Sequence, residues 1–119
     1  MGTKNILIAE DSYDNFILLK VILKKESYNI THVINGEYAI EELKLQKFDL
    51  LLIDIQMPVM NGYEFMSIIR KEGIEIPAIA QTAFAFDADK KKCFDVGFDD
   101  YITKPINRKL LISKIKKYI

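Results

Sequence analysis

Five residues of this chain have side chains that could do chemistry together: Glu10, Asp11, Asp54, Thr82 and Lys104. Each follows a short apolar run, namely NILIA (5–9), DLLLI (49–53), PAIAQ (77–81) or DDYIT (99–103). Taken singly, each has a plain duty. Asp11 or Ser12 could cap a helix, worth about 1 kcal/mol. Thr82 could bond its own backbone, Asp54 could form an Asx-type turn, and Lys104 could be a surface lysine. Taken together they behave differently. Neighbouring strands lie about 4.8 Å apart, so runs paired side by side would crowd Glu10, Asp11 and Asp54 into one pocket. Two carboxylates about 5 Å apart repel by roughly 3 kcal/mol at an effective dielectric of 20. Three acids make three such pairs, more than capping returns. Protonation of one acid would relieve the charge. A hard divalent cation suits an all-oxygen, histidine-free cluster better, and Mg2+ is satisfied by two or three protein oxygens and water. A cation held this way beside an ammonium and a hydroxyl receives phosphoryl oxygens. Asp54, at the centre, could then attack phosphorus as a carboxylate nucleophile and form an acyl phosphate.

For these residues to meet, parallel elements must carry them to one edge. NILIA is β-prone, and Phe16, Leu19, Ile22 and Leu23 then recur at intervals of three and four, which predicts a helix. ITHVI (30–34) is a second strand, Asn35-Gly36 a turn, and EYAIEELKLQK (37–47) a helix with Ala39, Ile40 and Leu43 on one face. DLLLI is apolar without alternation, as expected of a strand covered on both sides. YEFMSIIRKEG (63–73) is a third helix, closed by Gly73. PAIAQ and DDYIT are strands four and five. Between them DADKKKCFDVG (87–97) is a thinly apolar helix ending at Gly97, and NRKLLISKIKKYI (107–119) is the last helix. Five strand-helix units predict an α/β fold, a doubly wound five-stranded parallel sheet between helices with right-handed crossovers. In such sheets the functional crevice lies outside the carboxyl ends of the strands, where the five residues fall. His32, the only histidine, sits mid-strand away from these ends and reads as structural rather than as a ligand.

The 119 residues, 50% hydrophobic, fit one domain spanning 1–119 around a single sheet. Apolar stretches are far shorter than the roughly 18 residues a membrane-spanning helix needs, and no signal-like block opens the chain, which predicts a soluble cytoplasmic protein. Cys93 is the only cysteine, which excludes an internal disulfide, a thiolate zinc site and a redox pair. A formal charge of zero and a pI near 6.6 give no field to gather nucleic acid or anionic lipid, so neither is expected as a direct partner. The lysines of DKKK (89–92) and those after Lys104 read best as a solvated face.

The motifs AEDSYDN (9–15), LLIDIQMPVMNGYEF (51–65), IAQTAFA (79–85) and GFDDYITKPI (97–106), in this order, resemble the receiver domain of two-component response regulators over essentially the whole chain. Their wording is most similar to receivers attached to hybrid histidine kinases. The resemblance implies a flavodoxin-like strand order 2-1-3-4-5. It implies that Asp54 accepts a phosphoryl group from a histidine kinase or a histidine phosphotransfer domain. Asp11 would bind Mg2+ directly, Glu10 largely through water, and the backbone carbonyl of Gln56 would be a further ligand. Lys104 would pair with Asp54 or its phosphate, and the peptide before Pro105 would be cis. Thr82 and Tyr101 would form the switch, passing the signal to the face of helix four, strand five and helix five. Phe84, two past Thr82, is large and apolar where the family often has polar residues, so autodephosphorylation is expected to be slow. The resemblance also leaves room for a weak homodimer through the last helix, and for the chain being part of a hybrid histidine kinase.

Other classes fit less well. A haloacid-type phosphatase places a second Asp two residues after its nucleophile, where this chain has Gln56. A flavodoxin-like cofactor binder needs a glycine- and hydroxyl-rich loop after strand one, where Glu10 and Asp11 would repel phosphate. A receiver-like interaction scaffold that is never phosphorylated is the main alternative. The chain is therefore expected to be a phosphoacceptor rather than an enzyme.

Overall fold

The computed structural model describes residues 3–83 and 86–119. Strands and helices alternate in the order β1 (Asn5–Ala9), α1 (Tyr13–Lys24), β2 (Asn29–Val33), α2 (Gly36–Leu45) and β3 (Leu50–Asp54), followed by α3 (Gly62–Lys71), β4 (Ala78–Thr82), α4 (Asp87–Val96), β5 (Asp100–Thr103) and α5 (Arg108–Tyr118). The five strands form one parallel sheet in the order β2-β1-β3-β4-β5, as the resemblance implied. Parallel neighbours need crossovers, and helices cover both faces. On one face Ile6, Ile8, Leu50 and Leu52 pack with Phe16 and Leu19 of α1 and Leu111 of α5. On the other, Leu7, Leu51, Ile53 and Ala80 pack with Ala39 of α2 and with Phe65 and Ile69 of α3. The central strand β3 is buried at all five positions, which explains why its sequence does not alternate.

Local chemistry sets where the helices start. Ser12, Asn35, Asn61 and Asn107 each accept a hydrogen bond from the third helical amide, and Asn61 and Glu64 bond reciprocally as a capping box. The helix α4 is the exception: Phe86 at its N-cap offers no side-chain bond, and Cys93 is its only buried residue. Gly97 ends it in the left-handed conformation at φ 110°, as the sequence predicts. Arg70, at the end of α3, clasps the neighbouring loops by donating to the carbonyls of Gly97, Ile74 and Ile76 at 3.0, 2.7 and 2.9 Å. It also pairs with Asp99 at 3.3 Å.

Strand bounds differ from the expectation by one residue: β2 runs over Asn29–Val33 instead of 30–34, β5 starts at Asp100 instead of Asp99, and β3 and β4 are shifted one residue later. Asp54 and Thr82 are the last residues of β3 and β4 rather than the first beyond them, because Asp54 still pairs with Gln81 and Thr82 with Thr103. The sheet ladder therefore reaches as far as Asp54 and Thr82 and fixes their backbone. Among the described residues, no helix is long and apolar enough to cross a membrane.

Candidate functional site

The register of β1 against β3 runs from Ile6 with Leu50 to Ala9 with Ile53, so Glu10 emerges level with Asp54. Both are buried, at 0% and 4% exposure, whereas Asp11 is exposed. One carboxylate oxygen from each of the three lies within 4.8 Å of the others. From β5, Lys104 closes the group. Its Nζ is 3.1 Å from Asp54 Oδ2 and 3.1 Å from Glu10 Oε1. The contact with Asp54 has hydrogen-bond geometry; the one with Glu10 is an ion-pair approach that leaves Oε1 without a hydrogen-bond donor. The remaining oxygens are held by main chain, with Asp54 Oδ1 accepting from Gln56 N–H and Glu10 Oε2 from Ser12 N–H, each at 3.1 Å. Thr82 lines the same cleft of about 230 Å³, together with Ser12, Asn15 and Ala83.

Electrostatics follow from this crowding. Burial above all, and then the hydrogen bonding and like charge of Asp54, push the Glu10 carboxyl up to about 7, against the pull of the Ser12 amide and Lys104. For Lys104, burial alone would favour the neutral amine. The charge and hydrogen bond of Asp54 and the nearby charge of Glu10 outweigh it and hold the ammonium above its ordinary range. The site is thus an anion-rich pocket with one cation, in which Glu10 holds a proton more readily than an ordinary carboxyl does.

The loop after β3 must pass close beneath this pocket. A Cβ on Gly62 would sit 2.6 Å from the Asp54 carbonyl oxygen and 3.0 Å from Ile55 Cα, both backbone atoms that cannot swing aside. The Gly62 amide also donates to the Ile55 carbonyl at 2.9 Å. Gly62→Ala is therefore expected to destabilise the domain by about 2 kcal/mol through overpacking. Chemical denaturation would show it, and an unchanged midpoint would mean that the loop gives way.

A sequence profile of the response regulator receiver domain matches residues 6–116. The chain belongs to the response regulator receiver domain family. It is 41% identical over its full length to part of hybrid signal transduction histidine kinase I of Dictyostelium discoideum, of which it spans 7%. Among solved structures it is similar to the receiver domain of a Pseudomonas aeruginosa sensor histidine kinase that has a magnesium ion coordinated in its active site cleft. That likeness is at 31% identity and TM-score 0.89, covering 98% of each chain. It is also similar to a chain of the Saccharomyces cerevisiae co-crystal of the histidine phosphotransfer protein Ypd1 with the receiver domain of Ssk1, at 31% identity and TM-score 0.91, covering 98% of this chain and 88% of that one.

In this receiver domain the other residues singled out from sequence fall as follows. Gln56 is exposed beside the cleft, and the Lys104–Pro105 peptide is cis. Tyr101, half buried, turns toward α4, with its ring edge-on to Phe94 at 6.2 Å and with Lys90 and Lys114 over its faces at 5.4 and 5.1 Å. Phe84 lies outside the described residues. The cap of α1 is Ser12, which leaves Asp11 to the acidic cluster.

His32 lies within β2 and is structural, as the sequence suggests, yet its ring reaches the main chain of the site. His32 stacks on Phe16 at 3.8 Å between ring centres, and its Nε2–H donates to the Glu10 carbonyl at 2.7 Å. A carbonyl can only accept, so the proton resides on Nε2. The edge strand β2 thereby supports the main chain of an acidic residue, acting through backbone rather than as a ligand. Residue spacing gave no signal for this, because a strand histidine looks the same whether or not its ring reaches across to the next strand. Nor did spacing show that Lys104 would hold Glu10 as well as Asp54.

Proposed function

We propose that this receiver domain accepts a phosphoryl group on Asp54 from the phosphohistidine of a histidine kinase or phosphotransfer domain, in a reaction that depends on Mg2+. The observation that carries the reading is the convergence of Glu10, Asp11 and Asp54 on one point with Lys104 bridging two of them. With all three acids ionised the group bears three negative charges against one positive, and a dication would cancel the remainder. Glu10, Asp11 and Asp54 fit such an ion, since they offer oxygens only and one of them, Glu10 Oε1, lacks a hydrogen-bond donor. The backbone carbonyl of Gln56 is a candidate for a further ligand. When bound, Mg2+ would offset the charge of the phosphoryl oxygens during transfer. The coordinated magnesium of the Pseudomonas relative and the Ypd1 complex of the yeast one support the metal and the class of partner.

The chain's own residues supply the rest. A carboxylate oxygen of Asp54 attacks phosphorus, and as the P–O bond forms the P–N bond to the donor imidazole breaks, the nitrogen keeping the electron pair. Lys104 holds Asp54 oriented and can offset charge on the phosphoryl oxygens, and the Thr82 hydroxyl donates to a phosphoryl oxygen. Movement of Thr82 and Tyr101 then alters the face made by α4, β5 and α5, which is where the signal leaves the domain. We place this activity in one domain covering 1–119, in the cytoplasm, with no direct contact to nucleic acid or membrane. Incubation with phosphoramidate and Mg2+ tests the reading by intact mass: the protein should gain one phosphoryl group, and no gain would leave the interaction scaffold as the better account.

The raised Glu10 carboxyl makes a separate prediction. Glu10 binds its proton more tightly in the folded protein, with a value of about 7 against 4.5, so its contribution favours folding below about pH 4.5 and is lost as the pH climbs through about 7. In EDTA, Tm should fall between about pH 5 and pH 8, and saturating Mg2+ should remove most of that fall by replacing the proton with a cation. A Tm equally pH-dependent with and without Mg2+ would detach the metal from Glu10.

A further inference from the structure

On β4, alternation sends Ala78 and Ala80 into the layer of α2 and α3, and Ile79 into the layer of α1 and α5. Gln81 therefore turns to the α1 and α5 side. It is fully buried, and neither its Oε1 nor its Nε2 has a hydrogen-bond partner among the described residues. Its neighbours in the same layer, Leu52, Ile79 and Ile102, are apolar, and an aliphatic side chain would fill the position with no polar atom left unbonded. An amide kept there against that expectation points to a use.

Placement suggests which. Register sets Gln81 between Asp54 on β3 and Ile102 on β5. Asp54 has the parity of Leu52, and Lys104 that of Ile102, so all three face the same side of the sheet. Gln81 is thus about one strand spacing from Asp54 and lies below Lys104, under an ion pair of 3.1 Å. Because it is wholly buried, it sits beneath the cleft rather than in its lining.

We propose that Gln81 is a positioning residue for phosphoryl transfer to Asp54, supplying a hydrogen bond to the Asp54–Lys104 pair as Lys104 turns toward the incoming phosphoryl oxygens. The proposal rests on the phosphoacceptor reading above. At rest the Lys104 ammonium is divided between Asp54 Oδ2 and Glu10 Oε1. As a phosphoryl oxygen takes up one of its three N–H groups, the ammonium is drawn toward that oxygen and its contact with Asp54 lengthens. Gln81 carries both kinds of group needed to compensate, an Nε2–H that can donate to the loosened carboxylate and an Oε1 that can accept from the ammonium.

The test uses Gln81→Met, which keeps length and volume and removes the amide. Phosphorylation by phosphoramidate with Mg2+ is followed, Asp54 forming its P–O bond as the P–N bond breaks and the nitrogen leaves with the electron pair, to be protonated by water as ammonia. The variant should melt at a higher temperature than wild type, yet its maximal phosphorylation rate should fall about tenfold, with half-saturating phosphoramidate and Mg2+ unchanged. In a Lys104→Met background the same substitution should change the rate little, because the two residues act as one unit. A wild-type rate in Gln81→Met overturns the proposal alone. So does an equal loss in both backgrounds, which a general packing defect would produce. Failure of the wild-type protein to take up a phosphoryl group overturns the phosphoacceptor reading, and this proposal with it.

Discussion

Asp54→Asn gains no phosphoryl mass from phosphoramidate and Mg2+ under conditions where the unaltered chain gains one group. The expected loss is complete, because a neutral amide oxygen lacks the negative charge that makes a carboxylate nucleophilic. The substitution is nearly isosteric, and the amide side chain keeps an oxygen for the Gln56 N–H that Asp54 Oδ1 now accepts at 3.1 Å. It also removes the like charge that helps to push Glu10 up to about 7, and it leaves Lys104 with Glu10 as its anionic partner. The variant should therefore melt at or above the wild-type temperature near neutral pH. Lost phosphorylation in a protein of undiminished stability assigns the chemistry to Asp54, whereas a variant that is phosphorylated as fully as wild type would move the acceptor elsewhere.

Lys104→Met carries the largest expected effect on stability. The ammonium is the partner of two carboxylates that are almost wholly buried, at 0% and 6% side-chain exposure. Removing one side of a buried pair strands the other, at a cost of about 3 kcal/mol. Here the stranded charge has an escape, since Glu10 takes up a proton readily. The loss should therefore be large at about pH 8 in EDTA, much smaller at about pH 5, and reduced at the higher pH by Mg2+. Urea denaturation at the two pH values measures it. Equal destabilisation at both would mean that Lys104 acts mainly by packing its stem, not by holding charge.

Much of the architecture is legible in residue periodicity. The unbroken apolar run of β3 announces a strand covered on both faces, and the helix-spaced Phe16, Leu19, Ile22 and Leu23 announce the face that α1 buries. Strand ends were the weaker point, because where pairing stops depends on a neighbour's backbone: Asp54 remains in the ladder only because Gln81 lies opposite. The convergence of Glu10, Asp11 and Asp54 was legible from strand adjacency. What the linear chain does not reveal are bonds made by long side chains to main chain across the sheet. His32 reaching the Glu10 carbonyl is one case, and Arg70 gathering three carbonyls from two loops is another. Gln81 is a third kind of omission. Within PAIAQ it reads as the polar end of a strand, and only the packed sheet reveals that its amide is sealed from water.

The two ends of α4 are held very differently. Its last turn is anchored through the Gly97 carbonyl to the Arg70 guanidinium, which also ties in Asp99 and the approach to β4, while its first turn begins at exposed Phe86 with no side-chain cap. Between them Cys93 is the one buried side chain of the helix, and Phe94 and Lys90 add only contacts to the Tyr101 ring. A rod fixed at one tip and lightly held along its length is expected to pivot rather than slide, so any tilt of α4 would displace Phe86 most and Gly97 least. A partner docking on the α4, β5 and α5 face proposed above would accordingly meet a change of helix tilt rather than a translation.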